Sequence, residues 1–317
     1  ENILPININL YPFTFIPNYI DEPLVLVRKL DDSISCLSNV CTHRANIIVH
    51  NPSEQKNLRC LYHGRKFNLD GEFKSMPDFE EAKNFPRDCE NLKSFPVSRL
   101  GPFLFTSLEP EFNIKKIFDE IANRLSFFKF EKLVERPDLT SEHIVKANWA
   151  IYCENYLDPF HIPFVHKELT SVLDINQYKT EIYDNYNLQI GYSKDDEDSF
   201  KIPEGNKDFG KKISAYYYWI FPNLMLNFYP WGLSINVITP INKNRTKVSF
   251  IQFMLDESKY DLGAGGLIDK VEREDEFVVE EVSKGLESRY YSTGRFSPTK
   301  ETAIHHFHSL IAKFINS

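Results

Sequence analysis

Four residues in two short pairs carry the first recognisable chemistry of this chain. "CTH" supplies Cys41 and His43, "CLYH" supplies Cys60 and His63, and sixteen residues separate His43 from Cys60. Two thiolates and two imidazoles make a four-ligand metal set. It suits tetrahedral Zn²⁺. It also suits a [2Fe–2S] cluster in which two cysteines hold one iron and two histidines the other. Zinc-finger spacing usually pairs Cys with Cys and His with His, whereas here each loop gives one of each, which favours two loops clasping a two-iron cluster. His50 lies between the pairs, fits neither, and reads as loop polarity. Cys36, Cys89 and Cys153 read as small buried side chains.

A second set begins in "NYLDPFHIPFVH", residues 155–166. Asp158 and His161 are three apart and would share a helix face. His161 and His166 are five apart, about 140° around an ideal helix. A break at Pro163 would let both reach one centre, because proline cannot donate to the preceding turn. These residues alone also suit two ordinary polar histidines beside a broken helix. A 2-His-1-carboxylate iron site needs one more ligand. The helix pattern of "LIDKVEREDEFVVEEVSKGLES" has an apolar stripe through Ile268, Val271, Val278, Val279, Val282 and Leu286, and the slot at 275 on that stripe holds Asp275. A buried carboxylate needs a cationic partner. A metal would serve, and so would an Arg or Lys. Glu274 and Glu276, to either side of the stripe, read as solvated.

The elements that must position these residues fall into two regions. Residues 1–110 show short strands and turns, with Asp70-Gly71 as a hairpin turn. Residues 111–317 begin with helical spacing at 112–128, turn helical again around 148–155, run as strands over 178–255, and end helical from about 264 to 316. Strands followed by helices make an α+β arrangement. A net charge of −8 argues against a nucleic-acid partner. The acidic runs at 195–200 and 272–277 read as solvated faces, Asp275 excepted. No run of eighteen apolar residues implies a membrane span. The opening "ENILPININL" shows no secretory signal, and its missing initiator Met is consistent with a trimmed start. Five cysteines, an odd and sparse set in 317 residues, point to a reducing compartment and a cytoplasmic location.

"CTHR…CLYHG", with the neighbouring "NVCTHR" and "NLDGEF", resembles the Rieske motif of Rieske non-haem iron oxygenase α subunits, of the aromatic-ring-hydroxylating dioxygenase family. Ala45 stands where that family usually has Gly, and Arg65 where it usually has Trp. "NYLDPFHIPFVH" resembles the family's Asn-x-x-Asp-x-x-His-x-x-x-x-His motif, and "EREDEFVVEEV" its late carboxylate-bearing helix. The resemblance covers nearly the whole chain, with the family's N-terminal extension short or absent. It implies a Rieske domain followed by a helix-grip catalytic domain, an antiparallel sheet with a long C-terminal helix. Cys41, His43, Cys60 and His63 would hold the [2Fe–2S] cluster. His161, His166 and Asp275 would bind mononuclear Fe(II), with Asn155 nearby. Asp158 would hydrogen-bond a ligand histidine and carry electrons from a neighbouring subunit's cluster, in a homotrimer. A flavin/iron–sulfur reductase or a ferredoxin would supply electrons, and O₂ would be co-substrate for hydroxylation.

The strand region 214–240 and the tail at 292–314 look more like the choline, betaine and carnitine monooxygenase branch than the ring-dihydroxylating branch. Tyr216, Tyr218, Tyr229 and Trp231 are the expected pocket aromatics, able to attract a quaternary ammonium through cation–π contact. Simple strand core explains the same residues. An aromatic substrate is the competing enzymatic reading. Outside enzymes, a Rieske electron carrier or a zinc-stabilised ligand-binding protein would need the four N-terminal ligands but not the His161–His166–Asp275 set. His305 and His306 fall off the apolar stripe of the last helix and read as surface.

Overall fold

The computed structural model describes residues 8–194 and 199–316; residues 195–198 of the acidic run lie outside it. The chain divides into two compact units, Glu1–Glu120 and Ile121–Ser317, where the sequence places the change of character near residue 110.

In the first unit the strand Glu22–Arg28 lies between Leu10–Phe15 and Ile34–Ser38, and Ser94–Phe95 completes a four-stranded antiparallel layer. Its sequence "EPLVLVR" has no polar alternation because both faces are covered. Leu24 and Leu26 join Cys36 and Phe95 in one cluster. Val25 and Val27 join Leu37, Cys41, Leu58, Cys60 and Phe67 in another. Period-2 geometry thus lets one strand serve two cores. A smaller sheet of Leu58–Arg59, Lys66–Phe67 and Phe73–Ser75 carries the second Cys–His loop at its edge. The Asp70-Gly71 turn joins its last two strands, with Gly71 at φ +83°. Cys36 is fully buried as expected, whereas Cys89 is exposed, because it sits in a short surface turn over Asp88–Glu90. Helix α1, Ile114–Arg124, spans the division between the units.

The second unit has the expected α+β arrangement. One antiparallel sheet runs in the order Val134–Glu135, Arg245–Met254, Gly232–Asn242, Leu224–Tyr229, Ile213–Ile220, Tyr186–Tyr192, Lys179–Ile182, and Ser141–Val145 also pairs with Arg245–Met254. Between its strands Ser141–Val145 and Lys179–Ile182 come α2 (Trp149–Tyr156), the single turn α3 (Ile162–Val165) and α4 (Lys167–Val172); after its last strand come α5 (Ile268–Leu286) and α6 (Thr302–Ile315). Cys153 and Leu157, at the end of α2, Val279 of α5 and Phe307 of α6 meet Trp219, Met225, Ile238, Val248 and Phe250 of the sheet in one cluster. The buried face of α6 is Ala303, Ile304, Phe307 and Leu310, which leaves His305 exposed and His306 half-buried.

A buried ionic knot closes the far end of the sheet. Arg124 donates to Asp208, whose side chain is fully buried, with Nε to Oδ2 at 2.7 Å, and to Glu181 at 2.5 Å. Although burial opposes ionisation, Arg124, Tyr183 and Lys179 bring the Glu181 carboxyl down to about 2. Removing one partner of such a set strands the others in low dielectric, so Arg124→Met is expected to lose about 3–5 kcal/mol in urea unfolding. Because the Glu181 carboxyl is depressed, its share is present above pH 4.5 and lost as pH falls toward about 2. The difference between wild type and variant should therefore shrink across that window. A difference that stays constant there would contradict the assignment.

Candidate active site

The two Cys–His loops share one backbone plan. In the first, Cys41 N–H donates to Asn46 O and Ala45 N–H to Cys41 O; in the second, Cys60 N–H donates to Arg65 O and Gly64 N–H to Cys60 O. The fourth residue after each cysteine turns left-handed, Ala45 at φ +53° and Gly64 at φ +73°. Alanine therefore occupies a backbone state that glycine takes freely, at a strain of about 1 kcal/mol. Arg65, standing where the resembled family has Trp, is 1% exposed, pairs with Glu90, and lies 4.8 Å over the Phe73 ring. Its guanidinium lies over an aromatic face, as arginine's planar group favours.

These loops bring Cys41 beside Cys60 and His43 beside His63. Cys41 and Cys60 are 2% and 1% exposed, and the His43 and His63 rings lie 4.8 Å apart. Burial pushes the Cys41 thiol up. Burial also opposes the Cys60 thiolate, but the N–H groups of Tyr62 and His63 overcome it and lower that thiol. The buried Nδ1 of His43 has no hydrogen-bond partner. Two converging thiols and an unpartnered imidazole nitrogen suit a [2Fe–2S] cluster. Zinc would accept the same donors.

In the second unit three donor atoms converge. His161 Nε2 and His166 Nε2 are 3.0 Å apart, His166 Nε2 lies 3.0 Å from Asp275 Oδ1, and His161 Nε2 lies 3.3 Å from the same oxygen. Donors at adjacent corners of an octahedron with bonds of about 2.1 Å stand about 3 Å apart. The triangle thus fits three neighbouring positions of one metal and leaves others open. One ligand atom from each of His161, His166 and Asp275 lies within 4.8 Å of the other two, close enough for all three to hold one ion.

The local chain explains the convergence differently from the expectation of a break at Pro163. Helix α2, capped by Asn148 accepting from Ala150 N–H, ends at Tyr156. Pro163 sits in the first turn of α3, where a missing N–H is harmless. His161 and His166 flank this turn, and the backbone leaves helical geometry at His166 itself, φ −103° and ψ +73°. Asp158 lies between helices, not on a shared helix face. Its Oδ1 accepts from Phe160 N–H at 2.7 Å, and its Oδ2 is 3.6 Å from His161 Nδ1, too long for a hydrogen bond. Asn155 Nδ2 donates to Asp275 Oδ1 at 2.6 Å. Glu274, expected to be solvated, instead meets His166 Nδ1 at 2.7 Å and orients that ring.

A cavity of about 110 Å³ opens beside the three donors. The expected aromatic set is corrected here. Tyr229 lines the cavity together with Tyr217, Tyr178, Tyr152 and Tyr156, whereas Tyr216, Tyr218 and Trp231 do not. Strand alternation turns Tyr216 and Tyr218 to the other face of Ile213–Ile220. There Tyr216 donates to Asp208 and Tyr218 stacks on Tyr186. Trp231 stacks behind Tyr229, centroids 5.2 Å apart. Glu272, buried on α5 and also lining the cavity, is a residue that the sequence pattern missed. It stands four residues after buried Ile268 and three before Asp275, a spacing that places it on the inward face.

Electrostatics hold the triad together. Burial alone would lower the His161 imidazole, but the carboxylates of Asp158 and Asp275 outweigh it and lift it to about 9. Burial would raise the Asp275 carboxyl, yet the two imidazoles bring it down. In protein stripped of metal by a chelator, the raised histidine contributes stability that is full below pH 6.5 and lost as pH rises through about 9. The urea midpoint of stripped protein should fall across that interval, and that of His161→Ala should fall less, since His166 is still raised by Asp275 and Glu274. A wild-type midpoint that rises across it would contradict the pairing.

Residues 15–95 match the Rieske [2Fe–2S] domain, and residues 130–317 match the catalytic domain of the ring hydroxylating alpha subunit. The chloroplastic choline monooxygenase of Arabidopsis thaliana is 30% identical over 313 residues, covering 92% of this chain and 71% of that protein. That of Beta vulgaris is 29% identical, covering 89% and 64%, so the chain spans less than two thirds of that relative. The carnitine monooxygenase oxygenase subunit of Escherichia coli K12 is 30% identical, covering 93% and 81%. A solved quaternary ammonium Rieske monooxygenase shares the fold at a TM-score of 0.72 and 20% identity, covering 98% of this chain and 86% of that one. Naphthalene 1,2-dioxygenase with bound indole shares it at 0.65 and 18%, covering 100% and 85%.

Proposed function

The chain belongs to the ring-hydroxylating alpha-subunit family of Rieske oxygenases, and on that premise we propose that it hydroxylates a small quaternary ammonium compound. Oxygenases of this family draw electrons from a reductase or ferredoxin and act on small molecules. The observation that carries the reading is the triangle of His161 Nε2, His166 Nε2 and Asp275 Oδ1 at the wall of a tyrosine-lined cavity. Cys41, His43, Cys60 and His63 would hold the [2Fe–2S] cluster, and His161, His166 and Asp275 the mononuclear iron. Once bound, the two iron centres supply electron transfer and O₂ activation.

The protein's own groups do the rest. Glu274 fixes the His166 ring so that Nε2 faces the site. Asn155 steadies Asp275. Tyr217 and Tyr229, edge to face at 5.8 Å, present aromatic surface to the cavity. Ring faces attract an alkylammonium by about 0.5–2 kcal/mol per contact. Asp158 is the proposed link from His161 toward a neighbouring subunit's cluster, in a homotrimer. No described helix is long and apolar enough to cross a membrane, and five free cysteines support a reducing, cytoplasmic setting.

Two outcomes test this. Asp158→Ala should keep its iron and its Rieske spectrum while turnover falls about 10–100-fold; normal turnover would remove Asp158 from the electron path. Substrate-dependent O₂ uptake, measured with a reductase over an ammonium panel and an aromatic panel, should respond to ammonium compounds. Uptake with aromatics alone would make the protein an aromatic-ring oxygenase instead.

A further inference from the structure

Glu272 is a carboxylate on the inward face of α5, 8% exposed, at the cavity wall. Among the described residues no hydrogen bond or ion pair reaches it. Burial first, then the like charges of Asp269, Glu276 and Asp275, push its carboxyl well above the ordinary range. No cation compensates it, although an uncompensated buried carboxylate is expensive. Burial first, and then neighbouring groups that include Glu272, raise the phenols of Tyr152 and Tyr229 on the same wall. Asp275 is engaged by two imidazoles and Asn155, and Asp158 accepts from Phe160 N–H. Glu272 is left without such an engagement.

The rest of the lining has a matching bias. The charged residues on the cavity wall are Asp158, Glu272 and Asp275, and the described lining contains no Lys or Arg. Uncharged polar groups come from Gln189, Asn227, Ser234 and Asn236. A fixed positive charge would thus meet a carboxylate and tyrosine faces, and a hydroxyl would find amide and hydroxyl partners. A carboxylate on the ligand would find no Lys or Arg there, only the two histidines whose nitrogens already face Asp275.

We propose that Glu272 is the charge partner of the substrate's quaternary ammonium head, and that the cavity selects a cation with a neutral polar tail over a zwitterion. This rests on the quaternary ammonium reading above and deepens it. Glu272 acts as a specificity-determining residue, facing the head group rather than the iron.

The test is anaerobic calorimetric binding to the holoenzyme with three probes: choline, its uncharged isostere 3,3-dimethylbutan-1-ol, and glycine betaine. Wild type should prefer choline to both. Glu272→Gln should weaken choline about 30-fold or more, the loss expected when one partner of a buried charge pair is truncated. It should leave the isostere unchanged, which a merely structural defect would not do. If Glu272→Gln keeps the choline preference, Glu272 is not the partner, while the ammonium reading stands. If wild type binds no ammonium probe, both fall. Glycine betaine binding as tightly as choline would overturn the neutral-tail selection. The wild-type ratio of choline to isostere judges the charge requirement even if the variant fails to fold, since a ratio near one contradicts it.

Discussion

A carboxylate on the buried face of a 19-residue helix is the constraint around which the second unit is organised. Asp275 follows Ile268 and Glu272 and precedes Val279 on the inward side of α5. Its charge cannot stay there alone, because removing a carboxylate from water without a partner is expensive. Two imidazoles and one amide meet it. Meeting it requires α2 to stop at Tyr156 and the chain to make one separate turn between His161 and His166. It also requires the sheet core to fix α2 against α5, through Cys153, Leu157 and Val279. The same helix face also presents Glu272 to the cavity, so both carboxylates sit on one rigid element.

The first unit solves a different problem. The four proposed ligands there come from two loops of equal backbone plan, each held by hydrogen bonds back to its own cysteine. Ala45 tolerates a left-handed backbone in the first loop, and Arg65 fills the space beside the second.

Much of this was legible in the sequence because it is local. Cys41-x-His43 and Cys60-x-x-His63 announce a metal set by type and spacing, and Asp275 betrays itself as a charge in an apolar slot. What was not legible depends on which face of an element is covered. Tyr216–Tyr217–Tyr218 alternate by geometry, but a one-residue choice of parity decides which tyrosines see the cavity. The sheet settles it in favour of Tyr217. Glu272 and Glu274 read as solvent-facing charges among "EREDEF", since only Asp275 of that run falls in an apolar slot of the pattern, yet Glu272 lines the cavity and Glu274 meets His166. Pro163 drew attention as a helix breaker, yet its place in the first turn of α3 makes it a helix starter.

The central claim is that His161, His166 and Asp275 hold one mononuclear iron while the Cys–His loops hold two more. Iron analysis joined to the visible spectrum of Asp275→Ala, beside wild type, tests it most directly. About three irons per chain in wild type and about two in the variant, with the red-brown Rieske absorption intact in both, is the expected result. Equal iron in the two proteins, or a colourless wild type that carries zinc, would contradict it.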